Sequence, residues 1–303
     1  MSTISIKNGT LIDGSGSKRY LADILIENEK IKKIGKLDLT ADKVIDASGK
    51  IVSPGFIDTH SHSDLKVLIE PFVEPKIRQG ITTEILGQDG ISMAPLPEEY
   101  VSSWRKNLAG LDGDSDELKW DWKNTDGYLN LISKTGSGPN ELYLVPHGNI
   151  RMEAMGLEAR VATKEELEKM KEITRREMEA GVAGLSTGLI YIPCAYAETE
   201  ELIEICKVAA EYGRPLVIHQ RSEADTMLES MQEVIRIAKE SGVKIHFSHF
   251  KICGQKNWKL IEPVIALLDK CKEEGINVSY DQYPYVAGST MLGVILPPWA
   301  IWK

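Results

Sequence analysis

Cysteine is scarce in this sequence. Its four copies, Cys194, Cys206, Cys253 and Cys271, show no CxxC spacing. That argues against a disulfide-framed secreted fold and predicts reduced thiols in a cytoplasmic protein. Positive charge is also short: 36 Lys and Arg stand against 45 Asp and Glu, a formal net charge of -9. Such a balance argues against non-specific binding to nucleic acid or an anionic membrane, which needs clustered positive charge. No apolar run approaches the roughly 18–20 residues of a membrane span. The start, "MSTISIKNGTLIDGSGSKRY", lacks the basic segment and apolar core of a signal peptide. What is present, 42% hydrophobic and 27% charged residues over 303 positions, suffices for a sizeable core.

Two rhythms divide the chain. Residues 1–52 alternate apolar and polar positions, with turn signals at Asn8-Gly9, Glu27-Asn28-Glu29 and Ser48-Gly49. They predict hairpins in a small antiparallel β-sandwich unit. From residue 53 to 303, short apolar runs ("SPGFIDTH", "TTEILG", "LYLVPHG", "AGLSTG", "PLVIHQRSE", "KIHFSHFK", "NVSYDQYPY") alternate with amphipathic segments such as "TKEELEKMKEITRREMEA". Repeated strand–helix units predict a parallel sheet with right-handed crossovers. Seven such strands nearly fill a (β/α)8 TIM-type barrel, so the expected class is an α/β barrel lacking strand eight. The stretch from Met93 to Asn124 breaks the rhythm and holds three of the six tryptophans. It reads either as a lid or insertion, or as a surface excursion packing on its own helices.

The chain has six histidines, two of them one residue apart in "PGFIDTHSHSD". Residues i and i+2 of a strand share a side, so His60 and His62 should project together. His147, His219 and His249 also end predicted strands, at the barrel rim where active sites form. His246, three residues before His249, faces away and reads as structural. For His147 a hydrogen-bonded rim residue is an equal reading. His60, His62, His219 and His249 as a set predict metal ligation.

These motifs resemble the amidohydrolase superfamily, and more narrowly the N-acyl-D-amino-acid deacylases (D-aminoacylases). The matching stretches are "VSPGFIDTHSHSD", "GQDGISMAP", "PHGNIR", "GVAGLSTGLIYIPCAYAETEEL", "IHQRSE", "SHFKICGQKNW" and "DQYPYVAGSTML". The resemblance implies a zinc-dependent hydrolase, with one or two divalent ions, that removes the acyl group from a small N-acyl-D-amino acid by attack of metal-activated water. Many such deacylases carry a ligating cysteine after strand two. Here Asp89 stands at that position, as a ligand and bridge or as a turn cap before Gly90. The resemblance also places Tyr283 to hydrogen-bond the scissile carbonyl. Tyr191 and Lys251 fall at positions that contact the substrate carboxylate or acyl end, Ser289 and Thr290 near the amino-acid end, and Arg221 where its planar fork can pair with a carboxylate; for each a structural role is an equal reading.

The family also uses an aspartate after strand eight as its proton shuttle. The sequence reaches only a seventh strand before "ILPPWAIWK". The expectation is therefore a C-terminally truncated deacylase of doubtful activity alone, completed by a separate C-terminal segment, or a non-catalytic remnant. A cyclic-amide hydrolase of the hydantoinase or dihydroorotase kind is the runner-up. Those relatives usually use a carboxylated lysine on strand four, and "AGLSTG" has none.

Overall fold

The computed structural model describes residues 2–38 and 40–296. The chain forms two compact units, Met1–Phe56 and Ile57–Lys303.

The first unit is one five-stranded sheet of order β3-β2-β1-β4, with β5 also on β1. Its strands are β1 (Thr3–Leu11), β2 (Tyr20–Glu27), β3 (Lys30–Gly35), β4 (Lys43–Asp46) and β5 (Ile51–Val52). The sheet is mixed, not antiparallel as the pattern predicts: β1/β2 and β2/β3 are antiparallel, whereas β4 and β5 run parallel to β1. The cause is that the chain leaving β3 returns to add β4 on the far side of β1. Asn28 and Glu29 both take positive φ, 48° and 65°, as a two-residue hairpin turn requires. Asn8-Gly9 is a bulge inside β1 and not a turn; the register with β2 shifts between Ile6 and Gly9. Asn8, at φ 62°, gives its N–H to Asp23 Oδ1 at 2.8 Å, which compensates for the lost ladder bond. Leu11, Ala22 and Ile24 make the small core of this unit.

The second unit carries a seven-stranded sheet in sequential order: β6 (Phe56–Asp58), β7 (Ile81–Leu86), β8 (Asn140–Pro146), β9 (Gly184–Gly188), β10 (Leu216–His219), β11 (Ile245–Phe247) and β12 (Val278–Tyr280). Strands β7 to β12 pair parallel throughout. Short helices α1 (Lys66–Ile69) and α2 (Glu74–Ile77) follow β6, and α3 (Val101–Leu108) and α4 (Thr125–Thr135) follow β7. Then come α5 (His147–Met155), α6 (Lys164–Glu179), α7 (Thr199–Glu211), α8 (Met227–Ser241) and α9 (Ile261–Glu273). Sequential parallel order with helical crossovers is the pattern of a TIM-type barrel, here through seven strands.

Local chemistry explains the elements. At α6, Thr163 and Glu166 form a reciprocal capping box. The buried run "GLSTG" of β9 lies under neighbours on both sides, as an interior parallel strand must. The irregular segment after β7 packs inward through Trp104, Leu108 and Trp122. Trp104 and Trp122 donate their indole N–H groups to the carbonyls of Ser92 and Met93, each at 2.7 Å. No helix among the described residues is long and apolar enough to cross a membrane.

Candidate metal centre

The strand β6 stops at Asp58, so His60 and His62 lie just beyond it, not on it as their spacing suggests. Asp58 Oδ1 takes the N–H of His60 at 3.2 Å, a bond that replaces the ladder partner and ends the strand. The alternation survives. Ser61 points away, to Ser63 and to Glu84 Oε2, while the two imidazoles converge. Their Nε2 atoms lie 3.3 Å apart.

Asp89 arrives from the end of β7 on a left-handed loop. Its own φ is 57°, between Gly87 at 78° and Gly90 at 72°. A Cβ on Gly87 would sit 2.1 Å from the Leu144 carbonyl oxygen, and one on Gly90 would sit 2.7 Å from Thr187 Cα. Only glycine lets this loop press onto β8 and β9 and carry Asp89 to the strand ends. His219 is the last residue of β10; His249 stands two residues past β11, at φ 38°.

The carboxylate of Asp89 divides its oxygens between two histidine pairs. Oδ2 lies 3.6 Å from His60 Nε2 and 3.4 Å from His62 Nε2. Oδ1 lies 3.6 Å from His249 Nε2 and 3.9 Å from His219 Nδ1. His219 Nδ1 and His249 Nε2 are 2.9 Å apart. Ligands about 2.0–2.1 Å from a tetrahedral ion stand about 3.3 Å from one another. The separations within each group cluster around that value. Asp89 Oδ1 is buried without a hydrogen-bond partner. Two overlapping sets, His60–His62–Asp89 and Asp89–His219–His249, therefore fit divalent cations in donor type, spacing and unmet bonding.

The electrostatics agree. Burial alone would raise the Asp89 carboxyl, yet His60 and His249 hold it well below the ordinary aspartate value. Burial works against protonation of His62, but Asp112 and Asp89 push its pKa up to about 10. His249 likewise overcomes burial beside Asp89 and Glu223 and rises to about 9. His219, deeply buried, falls to about 4. The site is an anion ringed by imidazoles.

Two supporting carboxylates escaped the sequence reading. Glu223 accepts from His249 Nδ1 at 2.9 Å and pairs with Lys251 Nζ at 2.6 Å. It lies two residues past Arg221 in "HQRSE", and no spacing rule marked it. Asp112, within the irregular segment, lies 3.4 Å from His62 Nδ1. Asp64 stays just outside the centre. Its Oδ1 accepts from the Gly87 N–H at 2.8 Å and from the Ser92 hydroxyl, which fixes the Asp89 loop.

Other sequence candidates fall into two groups. Tyr191 is buried, its ring edge-on to His219 at 5.3 Å between centroids, and its hydroxyl is 2.8 Å from Thr290 Oγ1. Lys251 lies over the Tyr283 ring, 5.3 Å from its centroid, and contacts the His249 carbonyl at 2.9 Å. Ser289 is exposed beside Thr290. The second group faces elsewhere. Arg221 spends its fork on Glu233 of α8, at 2.9 Å, and donates to the Ala195 and Ala197 carbonyls. The carboxylate it meets is thus the protein's own. His147 is fully buried at the start of α5, bonded to Thr187 and Glu201. His246 bonds Ser279 and Asp281.

The amidohydrolase family pattern matches residues 43–269. The chain belongs to the amidohydrolase family. It is 36% identical over 288 residues to a D-aminoacylase of Alcaligenes xylosoxydans xylosoxydans, covering 95% of this chain and 58% of that protein. The crystal structure of N-acyl-D-glutamate deacylase from Bordetella bronchiseptica, complexed with zinc and a phosphonate inhibitor, superimposes with a TM-score of 0.86 at 35% identity. That match covers 93% of this chain and 58% of the other. An L-hydantoinase from Arthrobacter aurescens matches at TM-score 0.58 and 18% identity, which shows a shared fold alone. The chain spans about three fifths of the length of the curated D-aminoacylase and N-acyl-D-glutamate deacylase that it matches.

Proposed function

We propose that this chain is a metal-dependent hydrolase of N-acyl-D-amino acids, acting in the cytoplasm. The observation that carries the reading is Asp89, whose two oxygens face two histidine pairs at ligand spacing. The D-aminoacylase and N-acyl-D-glutamate deacylase likenesses support the substrate class. The four free thiols agree with a reducing compartment.

Asp89, His219 and His249 would hold one divalent ion, foremost zinc, and His60 and His62 would hold a second with Asp89. Such an ion acidifies water and polarises an amide carbonyl. The protein's own residues do the rest. Tyr283 donates its hydroxyl hydrogen to the carbonyl oxygen as negative charge develops there. Tyr191 and Thr290, already hydrogen-bonded together, bind the amino-acid end with Ser289, and Lys251 offers its ammonium to the substrate carboxylate. Arg221 supports from behind: its bonds to Ala195 and Ala197 steady the segment just after Tyr191.

The reading includes an eighth-strand segment that would pair β6 and β12, which are edge strands among the described residues and where Ile57 and Tyr280 are exposed. It would supply the proton-transferring aspartate that the family resemblance places on an eighth strand. General acid-base help of that kind contributes roughly 10²–10⁴-fold in rate.

The test is hydrolysis of N-acetyl-D- and N-acetyl-L-amino acids with added zinc, by the chain alone and with such a segment from a longer relative. We expect D-selective, chelator-sensitive turnover that the segment raises. Equal cleavage of both enantiomers, or turnover indifferent to chelator, would contradict the reading.

A further inference from the structure

The outer nitrogen of His62 faces a carboxylate that the reaction scheme leaves unused. Asp112 Oδ1 stands 3.4 Å from His62 Nδ1, and its side chain is 0% exposed. Neither Asp112 oxygen makes a hydrogen bond. A buried carboxylate without a donor is costly, so one is expected to stand within reach. His62 Nδ1–H is placed for that role.

Asp112 is held there by packing. Its N–H donates to the Leu108 carbonyl at 2.9 Å, in the last turn of α3. That helix is anchored by Leu108 and Trp104, and Trp104 bonds the Ser92 carbonyl. Ser92 in turn bonds Asp64, which accepts the Gly87 N–H at the root of the Asp89 loop. The irregular segment and the loop bearing Asp89 are thus tied to one another.

A neutral imidazole has one N–H and one lone pair. If Nδ1–H points to Asp112, the Nε2 lone pair points toward His60 and Asp89. His62, Asp64 and Asp112 lie close enough to form a cation group themselves. That use would take the Nδ1 lone pair and withdraw His62 from Asp89. The geometry favours the first arrangement, because Nε2 lies 3.3 Å from His60 Nε2 and 3.4 Å from Asp89 Oδ2. In the other histidine pair, His249 also turns Nε2 toward Asp89, with Glu223 at 2.9 Å and Lys251 at 3.1 Å on its Nδ1 side.

We propose that Asp112 is a positioning residue that fixes the tautomer and orientation of His62 as a metal ligand. The segment between β7 and β8 thereby becomes part of the metal centre. This inference rests on the metal-site reading above.

The experiment is a zinc titration of the full chain and of Asp112→Asn against a chromophoric chelator, with His60→Ala assigning the binding step that belongs to His60 and His62. The asparagine keeps shape and loses charge. We expect that step to weaken about 10–100-fold, with the His219–His249 step within twofold. An unchanged His60–His62 step, or an equal fall in both, overturns the proposal while leaving the metal-site reading intact. Absence of that step from the unsubstituted chain overturns both. A second measurement needs no variant: nitrogen-15 imidazole spectra of the zinc-loaded chain should show His62 protonated at Nδ1 and ligated through Nε2. Ligation through Nδ1 overturns the proposal.

Discussion

His60 and His62 bring their Nε2 atoms to 3.3 Å of each other, although neither lies on a regular strand. That separation is the edge of a tetrahedron around a small divalent ion. Asp89 Oδ2 closes the same face at 3.6 and 3.4 Å. The other oxygen of the carboxylate closes a second face with His219 and His249, so the chemistry of Asp89 decides how both groups behave.

Replacing that carboxylate tests its role directly. Asp89→Cys should tighten zinc, because thiolate is the softer donor. Asp89→Ala should weaken it, because both ligand groups lose a member. Competition titration against a chelator reads both. Zinc affinity unchanged by Asp89→Cys, with folding intact, would make Asp89 a turn residue only.

Ion binding should release protons. Without an ion, neighbouring carboxylates push His62 up to about 10 and His249 up to about 9, which favours the charged form of both at neutral pH. A ligand imidazole must be neutral, so each gives up its proton on binding. Affinity should therefore climb between pH 7 and 9, by up to about tenfold per unit for each proton released, and level off above about pH 10. Folding stability of the ion-free chain runs the opposite way. Raised histidine pKa values stabilise fully below about pH 6.5, and that contribution is lost as pH rises through 9 to 10. Calorimetry in buffers of different ionisation enthalpy should count about two protons at pH 7. A count of zero would contradict the site's electrostatics.

Gly87→Ala should cost stability and metal together. The residue sits at φ 78°, and a Cβ would meet the Leu144 carbonyl oxygen at 2.1 Å. Strain and overlap should remove about 2–4 kcal/mol, read from denaturant midpoints, and zinc affinity should fall as the loop shifts Asp89. An unchanged midpoint would show that the loop yields freely.

The legible parts of this molecule are those with local rules behind them. Period-two and helical spacing located the seven parallel strands and helices such as α6, whose Thr163–Glu166 box is written in four consecutive residues. The histidines at strand ends could be seen because a parallel sheet gathers strand ends at one rim. Partners fixed only by tertiary packing could not be seen. Asp112 reaches His62 because Trp104 and Leu108 bury α3, and nothing in "LAGLDGDSD" signals it. The pairing of Arg221 with Glu233 likewise depends on where α8 packs. Asn8-Gly9 carries the same residue preference in a bulge as in a turn, so composition alone could not separate the two.

The most direct test of the metal centre is elemental analysis of the purified chain, before and after the combined substitution His219→Ala and His249→Ala. We expect bound divalent metal, zinc foremost, in the unsubstituted protein and its loss from the variant. Equal metal content in both would contradict it.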